Sequence, residues 1–457
     1  MKLIRLALPV YVELLTAVVA VGLIDLLWVS GLGSRAVAAV TVATATEHLA
    51  LGVILAVQTG TTVLVGRRDG REPLTPVIRT AWLLWAAASL AVAVPGVLLR
   101  EPLARLFTDD AATATLTADF YLVSLAGIPI FFAQSLTDGI FKGRGDTTTP
   151  MRTALLCNAL VIVLDPLFIY GLDLGVQGAA AATVLARAVT LAVALTLLLR
   201  RTPRDRTARA GRTVAVEIVR TGLPMSGDFL ARALAGMVLV EVVGGSGVVA
   251  LAGYGIGMKI MLAGTMAFYA LRQAAMIQTA RSGAAGPALG YGLAAGLLVA
   301  AALNAVAAPA VGLFTGDPAV AAGAVSFLRW MTLYLVPFGG LISAGGVLQA
   351  SGRGGRLLTA TLTGLALQLP LAYALGAALG PTGVWLAMAA GATLSLALTL
   401  TAGPGRPDGP AAPAPGPVRL PRLSPGAWRG RRGSGPSSAP GRAPRPTRTA
   451  AGRRSGR

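Results

Sequence analysis

Several acidic side chains lie inside long apolar segments of this 457-residue chain. They include Glu13, Asp25, Glu47, Asp138, Asp165, Asp228 and Glu241. A charged side chain at the centre of a lipid bilayer costs about 3 kcal/mol even on lenient scales. Such residues are therefore the first candidates for function, and the chemistry they offer is the binding and release of a proton or another cation.

Asp25 and Asp165 reach a similar predicted depth. At about 1.5 Å of rise per residue, Asp25 lies roughly 24 Å along its helix from Pro9, and Asp165 lies about 21 Å from Met151. Two carboxylates that are close together in a medium of low dielectric constant do not easily both ionise. We therefore expect this pair to take up a proton on one side of the membrane and to release it on the other.

A second set of residues is predicted to line a substrate cavity. This set contains Glu241, Glu47, His48, Lys259 and Met261. Glu241 could instead be neutralised by Lys259 or Arg232, Glu47 and His48 could be a polar pair without a titration step, and Met261 could be ordinary helix packing. Asp228 with Arg232, and Asp138 with Lys142, are each four residues apart, so we expect structural ion pairs within single helices.

The composition indicates a membrane protein. The chain is 54% hydrophobic with a mean hydropathy of +0.70, and only 13% of its residues are charged, about half the fraction in soluble domains. One cysteine, Cys157, and one histidine exclude disulfides within the chain and multi-histidine metal sites. No nucleotide-binding or catalytic motif is visible, so we expect neither an enzyme nor a bound cofactor or metal.

Apolar runs and their breakers predict twelve membrane spans. The spans lie near 6–30, 36–65, 75–99, 112–137, 151–171, 176–199, 217–243, 248–280, 288–313, 318–349, 357–379 and 382–402. The predicted fold is an all-α polytopic membrane protein with two six-helix lobes related by a pseudo-two-fold axis along the membrane normal. The predicted domains are an N-terminal lobe (1–199), a cytoplasmic linker (200–216), a C-terminal lobe (217–402) and a disordered basic tail (403–457).

Five short matches in constant order suggest an internal duplication. They are IRLALP with VRTGLP, AVAAV with ALAGY, LFTDD with LFTGD, GRG at 143–145 with GRG at 352–354, and LGVQG with LGPTG. Arginine and lysine are concentrated in alternate loops, which places both termini and the linker in the cytoplasm. The basic tail should contact anionic lipid, and its near lack of aromatic residues argues against specific nucleic-acid binding.

The loop FKGRGDTTTP at 141–150 lacks the Lys-Ser/Thr ending and the preceding strand of a phosphate-binding loop. On the cytoplasmic side, its Arg-Gly-Asp tripeptide cannot act in adhesion. Gly143 and Gly145 permit positive φ, and Asp146 can cap the next helix. We therefore predict a tight turn between two helices.

These motifs resemble the multidrug and toxic compound extrusion (MATE) transporters. The resemblance is carried by LALP in the first span, GLIDLLWVSGLGSRAVAAV at 22–40, KGRGDTTTPM before the fifth span, and VLDPLFIYGLDLGVQGAAAAT at 163–183. It covers residues 1–402 and is stronger in the first half. Within the family the pattern is most similar to the DinF-like branch, which is thought to keep its ion-linked carboxylates in the N-terminal lobe.

The resemblance implies roles for particular residues. The family's first-helix and fifth-helix aspartates fall on Asp25 and Asp165, and a sixth-helix threonine falls on Thr183, about 12 Å inward from Gly175. Relatives often have an asparagine where this chain has Val161, and Asn158 lies on nearly the same helix face. The implied coupling site is therefore Asp25, Asp165, Thr183 and Asn158.

The implied function is proton-driven export of cationic or amphipathic organic compounds by a monomer in a bacterial plasma membrane, with sodium as the other possible coupling ion. One alternative is a flippase of lipid-linked precursors, for which Lys259, Arg232 and Arg187 are the candidate cations. Another is a membrane partner protein that transports nothing. A third is an intramembrane enzyme, for which no catalytic constellation is visible.

Overall fold

The computed structural model describes residues 2–108, 110–201, 210–284 and 286–401. The predicted tail at 403–457 lies outside these described residues, as do positions 202–209 of the predicted linker. The described residues form α-helices, two π-helical segments and one 3₁₀ turn, without a strand. The predicted all-α class is therefore confirmed.

Sixteen α-helices account for the described parts of the chain. They are α1 (Lys2–Leu14), α2 (Val21–Val29), α3 (Ser34–Arg68), α4 (Thr75–Leu98), α5 (Arg100–Phe107), α6 (Ala111–Ala126), α7 (Ile128–Gly143), α8 (Thr148–Pro166), α9 (Gly175–Arg201), α10 (Arg212–Gly244), α11 (Val248–Ser282), α12 (Ala288–Gly312), α13 (Pro318–Trp330), α14 (Thr332–Ala350), α15 (Gly354–Leu379) and α16 (Pro381–Thr401). The π-helical segments are Leu15–Ala20 and Leu167–Gly171, and the 3₁₀ turn is Ser30–Leu32.

The described residues contain up to eleven of the twelve predicted spans. Ten helices are long and apolar enough to cross a membrane, and α6 with α7, bent by 46°, count as an eleventh if the pair is one span. The remaining predicted span is α10, which is 33 residues long and carries Asp228, Arg232 and Glu241.

The internal duplication is visible in the turns. Glycines with positive φ fall into four pairs separated by 205 to 214 residues: Gly33 and Gly247, Gly70 and Gly283, Gly145 and Gly352, Gly175 and Gly380. Each pair occupies equivalent helix ends in the two halves, where a side chain would be strained. Asp110 and Asp317 likewise cap α6 and α13 with their carboxylates.

One match between the halves needs correction. The sequence aligned Gly145 with Gly354, but Gly145 is equivalent to Gly352. The Asp146 N–H donates to the Phe141 carbonyl, and the Arg353 N–H donates to the Leu348 carbonyl in the same way. Of the two glycines expected to permit positive φ in this loop, Gly145 adopts it, whereas Gly143 is the last residue of α7.

Each half has its own hydrophobic core. One cluster runs from Val29 to Ile218 and includes Tyr121, Phe132 and Phe141. The other runs from Leu239 to Ala392.

The halves meet most closely where α3 crosses α10. A Cβ atom on Gly222 would overlap the carbonyl oxygen of Ala56, and one on Gly60 would overlap that of Ile218. Small residues therefore let the two backbones approach within the membrane.

Candidate functional site

A cavity of about 270 Å³ lies within the first half. Five of the predicted site residues line it, namely Asp25, Glu47, His48, Asn158 and Thr183. Apolar side chains such as Leu51 and Phe131 form much of the wall, and Gln273 of α11 is the contribution of the second half among the described lining residues. The cavity therefore belongs almost entirely to one lobe.

Asp25 lines this cavity, and Asp165 lies buried beside Asp25 but is not among the lining residues. Asp165 is fully buried, and its charge acts directly on Asp25, so the two carboxyl groups are neighbours. Among the described residues, neither carboxyl oxygen of Asp165 has a hydrogen-bond partner, and the same holds for Oδ1 of Asp25. A buried carboxylate without donors is costly, which favours a proton or a cation held between the two groups.

Irregular backbone adjoins both aspartates. The π-helical segment Leu15–Ala20 precedes the helix that carries Asp25, and the segment Leu167–Gly171 directly follows Pro166. Such single-turn π segments are rare and are frequent at functional sites. The hydroxyl of Tyr170 donates to the carbonyl of Trp28, so the two irregular spans are tied together beside the carboxyl pair.

Asn158 and Thr183 add polar atoms to the same site. The Asn158 side-chain amide donates to the Thr16 carbonyl over 3.1 Å, a carbonyl of the π-helical segment. Its Oδ1 and the Thr183 hydroxyl are buried and make no hydrogen bond within the described structure. Val161, where the family resemblance led us to expect asparagine, is fully buried, and the role of Asn158 stays a prediction.

A cation that the sequence analysis did not assign to this site also lies here. Arg187 of α9 lines the cavity, and its guanidinium lies 4.3 Å from the centroid of the Phe131 ring. Its charge acts on both Asp25 and Glu47. Arg187 follows Thr183 by four residues, so the two side chains lie on the same helix face. This spacing was the signal in the sequence that could have assigned Arg187 to the site.

Glu47 and His48 lie on α3 in the cavity wall. Nδ1 of His48 is 2.8 Å from the Thr44 carbonyl oxygen, so this ring nitrogen is held by its own helix. Together with Glu13, Asp25 and Asp138, Glu47 gives the cavity four acidic side chains, against Lys142 and Arg187. Acidic groups therefore outnumber the two permanent cations.

One end of the cavity is closed by a buried ion pair. Lys142 is 3% exposed, and its ammonium donates to Glu13 over 2.7 Å and to Gln273 of the second half over 2.9 Å. The predicted pairing of Lys142 with Asp138 is therefore wrong, because Asp138 accepts instead from Gln134. The tertiary contact between α1 and α7 takes precedence over the spacing within α7.

A second cavity, of about 190 Å³, lies in the second half. Asp228 and Arg232 line it and are joined at 3.1 Å, which confirms the predicted pair. Arg272, which the sequence analysis passed over, also bonds Asp228, at 2.8 Å. Its only sequence signal was a basic residue deep in an apolar helix.

Three residues predicted for a substrate cavity lie elsewhere. Glu241 and Lys259 are exposed, and Met261 is buried in the core of the second half. None of the three lines either cavity in the described part of the chain. Sequence spacing placed them at plausible depths, but it could not show which way each helix faces.

The geometry defines a duplicated, two-lobed membrane protein with a carboxyl pair enclosed in its first lobe. The MatE family model matches residues 9–167 and 224–374, once in each half. The chain belongs to this family, the MATE family that the sequence motifs indicated. Its assignment to the DinF-like branch stays a prediction.

Known proteins are similar in both fold and sequence. A structure titled as the outward-facing conformation of a multidrug resistance MATE family transporter superimposes with a TM-score of 0.82 and 25% identity, covering 88% of this chain and 94% of that one. The probable multidrug resistance protein YpnP of Bacillus subtilis is 26% identical over 36% of this chain and 38% of its own length. The FAD transporter of Shewanella oneidensis is 28% identical over 43% of this chain and 45% of its own length. The chain thus matches less than half the length of these two curated relatives.

Proposed function

We propose that this chain is a secondary active antiporter that exports organic compounds in exchange for protons by alternating access. The observation that carries this proposal is the enclosed pair of Asp25 and Asp165, whose buried oxygens lack partners among the described residues. A proton shared by the pair satisfies these oxygens, and its loss leaves two neighbouring charges that repel each other. Loading and unloading of the pair can therefore bias the conformation of the first span.

The substrate that best fits the first cavity is a cationic or amphipathic organic compound. The apolar wall, with Leu51 and Phe131, suits an organic body, and the excess of acidic side chains attracts a positive charge. The names of the relatives support export of small molecules, since one is a probable multidrug resistance protein. They also show that a relative can carry an anionic compound, because another is an FAD transporter.

The proposed site of action is the plasma membrane of a bacterium, with both termini in the cytoplasm. The arginine-rich loops support this orientation. In this orientation, the hydrogen bond of Lys142 with Gln273 and the ion pair of Arg281 with Asp69 join the two halves on the cytoplasmic side. An outward-facing conformation is the state named for the similar structure.

The proposal is tested with the full chain in proteoliposomes loaded with a fluorescent organic cation. An inward proton gradient should drive efflux by the unmodified protein, while Asp25→Asn and Asp165→Asn should lose at least about 10-fold in gradient-driven rate, the usual scale for a lost proton-transfer group. Glu241→Gln, which removes an exposed acid of α10, is the matched control and should transport normally.

Each other result has a defined meaning. Full gradient-driven efflux by Asp25→Asn would remove the coupling role of the pair. Drive by a sodium gradient in place of the proton gradient would assign a different ion to the same site. Absence of any counterflow, together with translocation of a labelled lipid-linked precursor, would favour the flippase.

A further inference from the structure

The second half contains a buried cluster with more positive than negative charge. Arg232 and Arg272 both bond the carboxylate of Asp228, on its two different oxygens. The side chain of Asp228 is 1% exposed and that of Arg272 is 2% exposed. Among the described residues, Asp228 is the acid that forms ion pairs with these arginines, so one positive charge remains without a counterion.

Hydrogen-bond donors are also in excess. Both oxygens of Asp228 are already in use, and Oδ1 additionally accepts from the hydroxyl of Thr361 over 2.7 Å. Nη2 of Arg272 and Nε2 of Gln349 are buried and have no partner in the described structure. An unpaired buried guanidinium nitrogen is costly, and the group that would satisfy it is an acceptor with a negative charge.

A cavity with an aromatic wall adjoins both arginines. Arg232, Arg272, Phe229 and Tyr269 line the space of about 190 Å³. The Arg232 guanidinium also lies 5.3 Å from the centroid of the Phe338 ring. The volume is below the roughly 300–1,000 Å³ of sites that enclose a drug-sized molecule, so it suits a small acid or the acidic end of a larger molecule.

We propose that this cavity of the second half is a binding site for the carboxylate group of a small amphipathic acid. A carboxylate carries the single negative charge that neutralises the excess, and its two oxygens match the planar fork of an arginine. The aromatic wall receives the apolar body of the acid. The site is separate from the acidic cavity of the first half, and binding to it does not require the proton coupling proposed above.

The test is equilibrium binding of pyrenebutyrate, a fluorescent carboxylic acid, to the full chain in detergent, followed by fluorescence anisotropy. The uncharged pyrenebutyramide should bind at least about 10-fold more weakly, because it cannot form the charge-assisted bonds. Arg272→Gln should weaken binding of the acid to a similar extent and leave the amide unchanged. Arg329→Gln, an exposed arginine of the same half, is the matched control.

Arg232→Gln keeps the test decisive if Arg272→Gln does not fold, and Asp228→Asn adds a change in the opposite direction. Arg232→Gln leaves Arg272 paired with Asp228 and should also weaken binding of the acid. Asp228→Asn removes the one carboxylate and should strengthen that binding, which a purely structural ion pair would not predict. Equal binding of acid and amide, or no change in Arg272→Gln and Arg232→Gln, would overturn the proposal.

Competition experiments distinguish a carboxylate from other anions, and a coupling-site variant distinguishes this binding from the proposed transport. Benzoate should displace the probe, whereas displacement by a short-chain phosphatidylglycerol and not by benzoate would overturn the assignment to a carboxylate. Asp25→Asn should bind the probe normally. Loss of coupling in Asp25→Asn and loss of acid binding in Arg272→Gln are therefore separate failures.

Discussion

Asp165 and Asp228 show that the same side chain, equally buried, can be in opposite electrostatic situations. Asp165 is fully buried and no donor reaches it among the described residues, whereas Asp228 accepts from Arg232, Arg272 and Thr361. The first arrangement carries a free-energy cost that a transport cycle can use. The second stabilises the fold as long as all partners remain.

The substitution of each aspartate by asparagine should therefore have opposite effects on stability. At a pH at which the pair has lost its shared proton, Asp165→Asn removes an unsatisfied charge and should raise the free energy of unfolding by about 1–3 kcal/mol. Asp228→Asn leaves the buried Arg272 and the half-buried Arg232 without a counterion and should lower the free energy of unfolding by about 3–5 kcal/mol. Thermal unfolding midpoints in one detergent measure both, and destabilisation by Asp165→Asn would contradict the account of an unsatisfied pair.

Asp146 in the loop before α8 provides a pH-dependent contribution. Partial burial acts to raise the pKa of Asp146, but hydrogen bonds from the side chain and backbone of Thr149, with help from Arg201, outweigh it and lower the pKa below its usual value. The folded state therefore gains stability above the unfolded-state pKa near about 4. That contribution is lost as the pH falls through the folded-state pKa.

The Asp146 carboxylate accepts hydrogen bonds from the first turn of α8. Its removal should change the stability only at a pH at which the carboxylate is ionised. Asp146→Ala should lower the free energy of unfolding by about 1 kcal/mol at pH near 7, and the difference from the unmodified chain should shrink towards about pH 3. Glu101→Ala, at an exposed acid of α5, is the control. Thermal unfolding across pH measures the effect, and a difference that does not depend on pH would show that the carboxylate charge is unimportant.

At the scale of elements, the crossing of α3 and α10 depends on glycine. A Cβ atom at Gly222 would meet the Ala56 backbone, whereas one at Gly236 of the same helix would meet nothing within 4 Å. The contact is between backbones, so the strain cannot be relieved by a side-chain rotation. The two helices would have to move apart.

The pair of alanine variants isolates this effect. Gly222→Ala should lower the free energy of unfolding by about 1–3 kcal/mol through overpacking. Gly236→Ala should raise it by up to about 1 kcal/mol, because alanine is the better helix former. Thermal unfolding in detergent measures both, and equal stability of the two variants would show that the crossing is looser than described.

At the scale of the whole molecule, one side of the contact between the halves is held by charges. Lys142 bonds Glu13 and Gln273, Arg68 bonds Glu217, and Arg281 bonds Asp69. The pair of Lys142 with Glu13 is buried, so removing one partner leaves an uncompensated charge worth about 3–5 kcal/mol. Lys142 also donates to Gln273 of the second half over 2.9 Å, so we expect this hydrogen bond to be lost if the two halves separate on this side.

Lys142→Met should shift the population towards the state that is open on this side. The measurement uses two spin labels on this side, one in each half, in a chain in which Cys157 is replaced by serine. Pulsed electron paramagnetic resonance should show a longer distance between the labels in Lys142→Met. The double variant Glu13→Gln/Lys142→Met leaves no buried charge and should recover part of the original distance. An unchanged distribution in Lys142→Met would show that packing alone holds the closed side.

The sequence predicted more of the scaffold than of the site. Charged residues at intervals along apolar runs, and glycines at equivalent helix ends, are local signals. The spans and the duplication could therefore be predicted from the sequence. Asp25 and Asp165 could be matched by depth alone. Lys142, Arg187 and Arg272 could not be assigned, because their partners come from other helices.

The order of the helices, their apolar character, the repeated turns and the presence of acids at membrane depth were all determined by the sequence alone. Each depends on residues near one another along the chain. Only the tertiary structure decided that Asp165 has no donor, that Lys142 bonds Glu13, and that Arg272 joins Asp228. The rotation of a helix about its axis is set by packing between helices, and it decides which of several equally deep side chains meet.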